Sequence, residues 1–418
     1  MKILLINHYA GSPGYGMEYR PYYFAKIWQT QGHSVTIIGS SFSHVRTKQP
    51  YIDTSKKEEI IDRIRYIWIK TPRYSGNGKK RILNIIVFIF KIFLNARFLS
   101  EYSMNGAVIA SSTYPLDIFP AKRISKISNA ALIFEVHDLW PLSPMELGGY
   151  SKYNPFIQVI QMAEDFAYRK CDQLVSMLPE TLDYMVKHGL NPDKFNYIPN
   201  GINLDEWKNE KELPQEIAKL IEYLIINENT LIAYTGTHGL ANALESLIDA
   251  AAMMQNMKVA FILVGSGPEK EQLKKKALTL NLGNVYFLNP ILKEFIPVFL
   301  SKMDILYIGL QKQSLFKYGI SPNKLIDYLM AGKPVIQAIE AGNDIVSDSN
   351  CGISIEAENP IKIREAILKL LSFSKDELKE LGKNGHDYVL KNHEYSILAN
   401  KFLKVLELSC KIQEKDNI

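Results

Sequence analysis

Lys324 and Asp327 stand one helical turn apart in SPNKLIDYLMAGKPVI, residues 321–336. Ser321 is a good helix N-cap, Pro322 suits the first helical position and Gly332 suits a C-terminal stop. The segment therefore predicts a helix of about three turns, followed by a buried strand. The free first amides of such a helix, here near Ser321, Pro322 and Asn323, and the positive end of its dipole make an anion site. Lys324 adds a cation where the dipole alone disfavours one, and a bound anion resolves that conflict. Asp327 is near enough to accept hydrogen bonds from a ribose. An ordinary capped helix with an exposed lysine is the plain alternative.

Other residue groups could share the chemistry. In FEVHDLWP, residues 134–141, His137 and Asp138 emerge from an apolar run. Neither gains from burial, which points to a site; a hydrogen-bonded turn pair is the alternative. The loop Ala10–Gly16 has the form G-x-x-G-x-G, with Gly14 and Gly16 at its end. It is not the G-x-G-x-x-G dinucleotide fingerprint. Glu18 and Arg20 follow it, and Arg20 is a candidate for an acceptor phosphate or for an ordinary salt bridge. Further on, GTHG places Thr237 and His238 in a turn, and VGSGPEKEQL places Gly265 and Gly267 in another. A plain βα turn is the alternative for the second. No D-x-D pair occurs, so the expected counter-charge for a diphosphate is the helix dipole with Lys324, and no metal.

These residues sit just after apolar, strand-like runs separated by helical patterns. The first series runs from KILLIN through SVTIIGSS, RYIWIK, AVIASS, ALIFEVHD and QLVSML to NYIPN, with a helix from Glu18 to Thr30. The second runs from LIAYTG through VAFILVG, VYFLNP, DILYIG and PVIQAI to GISIE. Two such series predict an α/β chain of two doubly wound Rossmann-like domains facing across a cleft, with ligands beyond the carboxyl ends of the strands. The expected domains are 1–200 and 201–389. Helices from about 390 to 418 are expected to pack back on the first, and NLDEWKNEKELPQ, 203–215, reads as the linker.

With 418 residues, 47% of them hydrophobic, the chain has material for two cores. Disorder is expected only in the last residues, KIQEKDNI. A net charge of +5 does not by itself imply nucleic-acid binding. Three dispersed cysteines suggest neither disulfides nor zinc, so a cytoplasmic setting is expected. The start, MKILLINHYAG, does not read as a signal peptide. Lys79–Phe98 is strongly apolar but interrupted by Asn84, Lys91 and Asn95. It is short of a membrane span and predicts a basic, amphipathic helix lying on a membrane surface; a buried core helix is the alternative.

Residues 321–336 resemble the donor-binding signature of glycosyltransferase family 4, a retaining group with the GT-B fold. NHYAGSPGYGMEYRPYY, SSFSH, HDLWP, GTHG and GISPNKLIDYLMAGKPV are closest to its WbuB-like set of O-antigen and capsule transferases. The resemblance implies that Ser321, Pro322, Asn323 and Lys324 hold the donor diphosphate, that Asp327 binds the ribose and that His137 and Asp138 serve catalysis. It places Gly14, Gly16, Thr237, His238, Gly265 and Gly267 by the donor. Asn289, in VYFLNPI, lies at the strand edge that recognises the base; Glu18 and Arg20 lie toward the acceptor. The family usually has Glu eight positions before Asp327, where this chain has Gly319, and it usually has an Arg/Lys pair where this chain has GTHG. Backbone groups of Gly319, Ile320 and Ser321 are the candidates to replace the missing grip. The implied donor is a UDP-sugar with an N-acetylated amino sugar such as N-acetyl-L-fucosamine. The implied acceptor is an undecaprenyl diphosphate-linked saccharide at the inner face of the bacterial inner membrane. A UDP-sugar 2-epimerase, a non-catalytic membrane scaffold and an NAD-dependent oxidoreductase are the other readings weighed.

Overall fold

The structure, a computed structural model, describes residues 1–76, 78–208 and 211–416. Positions 209 and 210 of the expected linker, and 417 and 418 of the tail, lie outside the described residues. The chain divides into two compact units: Met1–Asn200 together with the segment from Tyr395, and Gly201–Glu394.

The first unit is built on eight strands: β1 (Lys2–Ile6), β2 (Ser34–Ser40), β3 (Lys56–Ile61), β4 (Ile64–Ile69), β5 (Ala107–Ala110), β6 (Ala131–Val136), β7 (Gln173–Ser176) and β8 (Phe195–Tyr197). Their order is β3-β4-β2-β1-β5-β6-β7-β8, and every pair is parallel except β3 with β4. Ile3, Leu4, Leu5 and Ile6 are fully buried, as expected of a parallel strand covered by helices on both faces. Chain order reverses between β1 and β5. Such a switch point opens a crevice beyond the strand ends. The helix Tyr395–Asp416 completes this unit: the Trp28 indole donates to the Ala399 carbonyl at 3.0 Å, and Phe402 meets the rings of Phe24 and Trp28 edge-on.

The second unit has six parallel strands: β9 (Thr230–Thr235), β10 (Val259–Val264), β11 (Val285–Leu288), β12 (Ile305–Gly309), β13 (Val335–Ala338) and β14 (Gly352–Ile355). Their order, β11-β10-β9-β12-β13-β14, is the 3-2-1-4-5-6 arrangement of a Rossmann sheet, with its switch point between β9 and β12.

Three local expectations are corrected. The first helix begins at Arg20, not Glu18. The helix in the 321–336 segment is Asn323–Met330, eight residues, with Pro322 and not Ser321 at its N-cap. Pro322 has a helix-compatible φ of -75° but an extended ψ of 123°, so the first helical residue is Asn323. The apolar 79–98 segment is not one helix: Lys79–Leu94 and Ala96–Leu99 are separate, and the axis bends by 69° at the break. Among the described residues no single helix is long and apolar enough to cross a membrane.

Candidate functional site

In the second unit, β9 and β10 end in glycine turns because their next residues need conformations that side chains resist. Gly236, Gly265 and Gly267 have φ of 141°, 152° and 158°. The turns are laced together, Gly236 N–H donating to Val264 O at 2.9 Å and His238 N–H to Ser266 O at 2.8 Å. A Cβ on Gly265 would lie 1.8 Å from the Gly236 carbonyl oxygen. Gly265→Ala is therefore expected to destabilise the fold by about 2–4 kcal/mol. A urea midpoint equal to that of the native protein would show that the turn relaxes freely.

Beyond these turns lies a cavity of about 600 Å³, walled by Thr235, Gly236, Thr237, Asn242 and Gly265 on one side and by Pro322, Asn323, Lys324 and Asp327 on the other. In the first turn of the Asn323–Met330 helix, Leu325 N–H donates to Pro322 O at 3.1 Å, while the two amides before it, of Asn323 and Lys324, have no carbonyl a turn back within the helix and sit at the dipole's positive end. Lys324 reaches back from this helix. Its Nζ is 2.8 Å from the Tyr234 hydroxyl and 2.7 Å from Asn242 Oδ1, and lies 4.4 Å from the centre of the Tyr234 ring. Burial pushes its pKa down to about 7. Asp327 is pushed up to about 7, chiefly by burial, with Lys293 opposing and Glu206 assisting. Among the described residues no ion pair joins Lys324 to Asp327. Two groups of opposite sign are thus each made costly to charge, in one cavity, without satisfying each other. Such perturbed pairs mark functional sites.

The cavity takes in Thr237, Gly265, Pro322, Asn323, Lys324 and Asp327, but His238, Gly267, Asn289 and Ser321 are not in its lining. His238 is corrected as a phosphate ligand. Its ring is fully buried, packed between Tyr234 and Phe287, and burial with Lys270 and Lys324 nearby lowers its pKa to about 4. Asn289 accepts from Lys270 Nζ at 3.4 Å, a lysine that also ties Gly265 O to Leu288 O. Gly267 gives room to the His238 backbone, whose oxygen would be 2.2 Å from an added Cβ. Of the backbone groups of Gly319, Ile320 and Ser321 considered in place of an acid at position 319, two amides are engaged: Gly319 N–H donates to Phe316 O and Ile320 N–H to Asn343 Oδ1.

In the first unit the polar residues gather at the carboxyl ends of β1, β5 and β6. Asn7 Nδ2 donates to the Ser111 carbonyl at 2.7 Å. His137 Nε2 lies 3.0 Å from Ser111 Oγ and 3.4 Å from Glu135 Oε2. Glu135 is buried within β6 and receives Arg20 Nε at 2.9 Å on its other oxygen. Burial opposes ionisation there, but Arg20 and the bonds from His137 and Ser111 prevail and hold the carboxyl at about 2. Arg20 is corrected as an acceptor ligand. It is 1% exposed, and its remaining nitrogens donate to the Ile198 and Pro199 carbonyls. Asp138 is held as a turn residue, the alternative the sequence left open for it. Its Oδ1 accepts from Leu139 N–H and Ser143 Oγ at 2.9 and 2.6 Å, holding the turn into the helix Leu142–Gly148. Glu135, two residues before His137, is the carboxylate that meets the imidazole.

The glycine loop is a pinned turn. Ser12 bridges to Gly16, and Gly16 to Arg46, whose guanidinium donates to the Ala10 and Ser40 carbonyls. Gly14 stands exposed at its tip, Gly16 is buried against Thr47, and Glu18 is half-buried with its amide donating to Tyr9 O. Arg46 carries no local motif that marks it.

Two Rossmann-type units in tandem, each with polar residues beyond its strand ends, define the GT-B class. Residues 15–206 match the model of Glycosyltransferase Family 4 and residues 229–372 that of Glycosyl transferases group 1, so the chain carries a glycosyltransferase domain in each unit. A probable glycosyltransferase WbjE of Pseudomonas aeruginosa is 26% identical over 49% of this chain and 51% of its own, so the match spans about half of that relative. A putative colanic acid biosynthesis glycosyl transferase WcaI of Escherichia coli is 22% identical over 66% of this chain and 68% of its own. Among solved structures, Anabaena HepE in complex with UDP and glucose superposes with a TM-score of 0.67, at 16% identity, covering 97% of this chain and 99% of that one.

Proposed function

We propose that the protein is a retaining, metal-independent glycosyltransferase of bacterial O-antigen or capsular polysaccharide synthesis. In this reading it moves an N-acetylated amino sugar, such as N-acetyl-L-fucosamine, from UDP to a saccharide on undecaprenyl diphosphate. It works at the inner face of the inner membrane, with the Lys79–Leu94 helix on the lipid surface. The observation that carries the reading is the second unit's cavity, where Lys324 and the free helix amides meet beside Asp327. A relative named for colanic acid biosynthesis and a structural neighbour crystallised with UDP support it.

In the proposed reaction the anomeric C–O bond to the β-phosphate breaks. The acceptor hydroxyl oxygen bonds the same face of that carbon, and its proton passes to the departing phosphate. The charge that develops on UDP is met by Lys324 and the helix amides, as fixed dipoles stabilise a leaving anion elsewhere. Asp327 accepts from the ribose.

A calorimetric panel of UDP-, GDP- and dTDP-sugars, each with and without magnesium, tests this. Binding confined to UDP compounds and indifferent to magnesium is the expected result. A strict magnesium requirement would remove the metal-independent part of the reading, and preference for GDP or dTDP would remove the donor.

A further inference from the structure

In the first unit four side chains meet with too few hydrogens among them. Glu164 and Asp165 are neighbours on the helix Pro155–Lys170, and His188 caps the end of the helix Leu182–Lys187, which follows β7 in the chain. One ligand atom from each, two carboxylate oxygens and an imidazole nitrogen, lie within 4.8 Å of one another. The Gln161 amide nitrogen stands between them, 2.9 Å from Glu164 Oε2, 2.7 Å from Asp165 Oδ1 and 3.0 Å from His188 Nδ1.

That amide has two hydrogens for three acceptors. His188 Nδ1 also lies 2.9 Å from Asp165 Oδ1, and it cannot suit both neighbours. With a proton it confronts the amide hydrogens; without one it turns a lone pair on the carboxylate. No Lys or Arg resolves the conflict: among the described residues the one ion pair of either carboxylate is Asp165 with His188. Glu164 is 1% exposed, so water does not supply the missing positive charge. The Glu164 carboxylate is nevertheless aimed. The Tyr168 hydroxyl donates to its Oε1 at 2.8 Å and the Tyr184 hydroxyl to its Oε2 at 2.9 Å, as outer hydrogen bonds aim a carboxylate that binds a metal.

A cation in the place of the amide nitrogen satisfies all three acceptors at once. They need close in by less than about 1 Å to reach the distances of zinc to oxygen and to imidazole nitrogen. Gln161 swings aside, and its carbonyl oxygen or a water completes the set. An imidazole among the ligands favours a d-block ion over magnesium, which prefers oxygen alone. We infer that Glu164, Asp165 and His188 form a site for a divalent ion of the zinc class, which staples the Pro155–Lys170 helix to the end of the Leu182–Lys187 helix. The site shares no residue with the donor cavity and takes no part in the proposed transfer. Cysteine spacing gave no sign of it because it uses no cysteine, and His188 stands 23 residues beyond Asp165.

The full-length protein, stripped with EDTA, is titrated calorimetrically with zinc chloride and with magnesium chloride. One zinc per chain and no magnesium is the expected result. His188→Gln and Asp165→Asn, both at partly exposed positions, should each weaken zinc binding by about a hundredfold. His386→Gln, at an exposed histidine of the second unit, should leave it unchanged. At a hundred times Kd, zinc should raise the native melting temperature by about 5 °C, and both site variants should lose that shift. Cobalt gives a reading on the native protein that needs no variant to fold: visible bands without the charge-transfer band of a thiolate ligand. No zinc binding, zinc binding that survives both site variants, or a thiolate band overturns the site. UDP should bind the stripped and the zinc-loaded protein alike; a UDP affinity that depends on zinc would overturn the purely structural role, and failure of UDP to bind either form would sink the transferase reading while leaving the zinc site standing.

Discussion

Lys324→Met is expected to weaken UDP binding by about 3 kcal/mol, roughly a hundredfold, and to lower turnover by a similar or larger factor. Methionine keeps the length and removes the charge, so the cavity's shape survives. The same change is expected to stabilise the folded protein. Lys324 has a pKa of about 7 when folded against 10.5 for the free side chain, so the folded state resists a proton that the unfolded chain holds. The sign follows from linkage: the penalty is complete below about pH 7 and fades as pH rises from there toward 10.5. The variant's gain in melting temperature should therefore be largest at acidic pH and shrink in alkali. Native UDP affinity should also decline as pH rises. A diphosphate favours the protonated lysine and a neutral Asp327, and both groups lose a proton near pH 7. Affinity should fall above that pH, with proton uptake visible as a buffer-dependent binding enthalpy. A Lys324→Met protein that binds UDP normally would move the anion site elsewhere.

Glu135→Gln should cost about 3–5 kcal/mol of stability, because it leaves the Arg20 guanidinium buried without its counter-charge. Arg20→Met alone should cost a similar amount. The double variant, Arg20→Met with Glu135→Leu, should recover much of either loss, since no charge is then left unpaired. Single and double losses that simply add, in urea unfolding, would show that the pair is not coupled. The pH dependence also has a definite sign. Glu135 titrates at about 2 when folded and near 4.5 otherwise. Its contribution is complete above pH 4.5 and disappears as pH falls from there toward about 2, so Glu135→Gln should flatten the acid limb of the stability curve. The imidazole of His137 loses its carboxylate partner in the same variant, so activity should fall under conditions where the protein remains folded.

The parallel strands were legible because they are short apolar runs ended by glycine or polar residues, as in KILLIN and VAFILVG. Strand β3, KKEEII, was not: an antiparallel edge strand with no fully buried residue has no long apolar run to betray it. Lys324 was legible as a conflict with the helix dipole, and Asp327 as a hydrogen-bond acceptor one turn further on. Their surroundings were not, because Tyr234 and Asn242 meet Lys324 across 90 and 82 residues of chain. Glu135 was hidden for a different reason. A carboxylate inside an apolar strand reads as an interruption until Arg20, 115 residues earlier, is found beside it.

The discontinuity of the first unit has a consequence for the order in which this protein is made. Its sheet and most of its helices emerge from the ribosome first, but Phe24 and Trp28 receive their partners Ala399 and Phe402 only after the whole of Gly201–Glu394 has been translated. Until then these two aromatic side chains of that core face an open groove. The newborn first unit is an unfinished body that a chaperone's apolar surface can hold, while the second unit has all its strands and can close on itself beforehand.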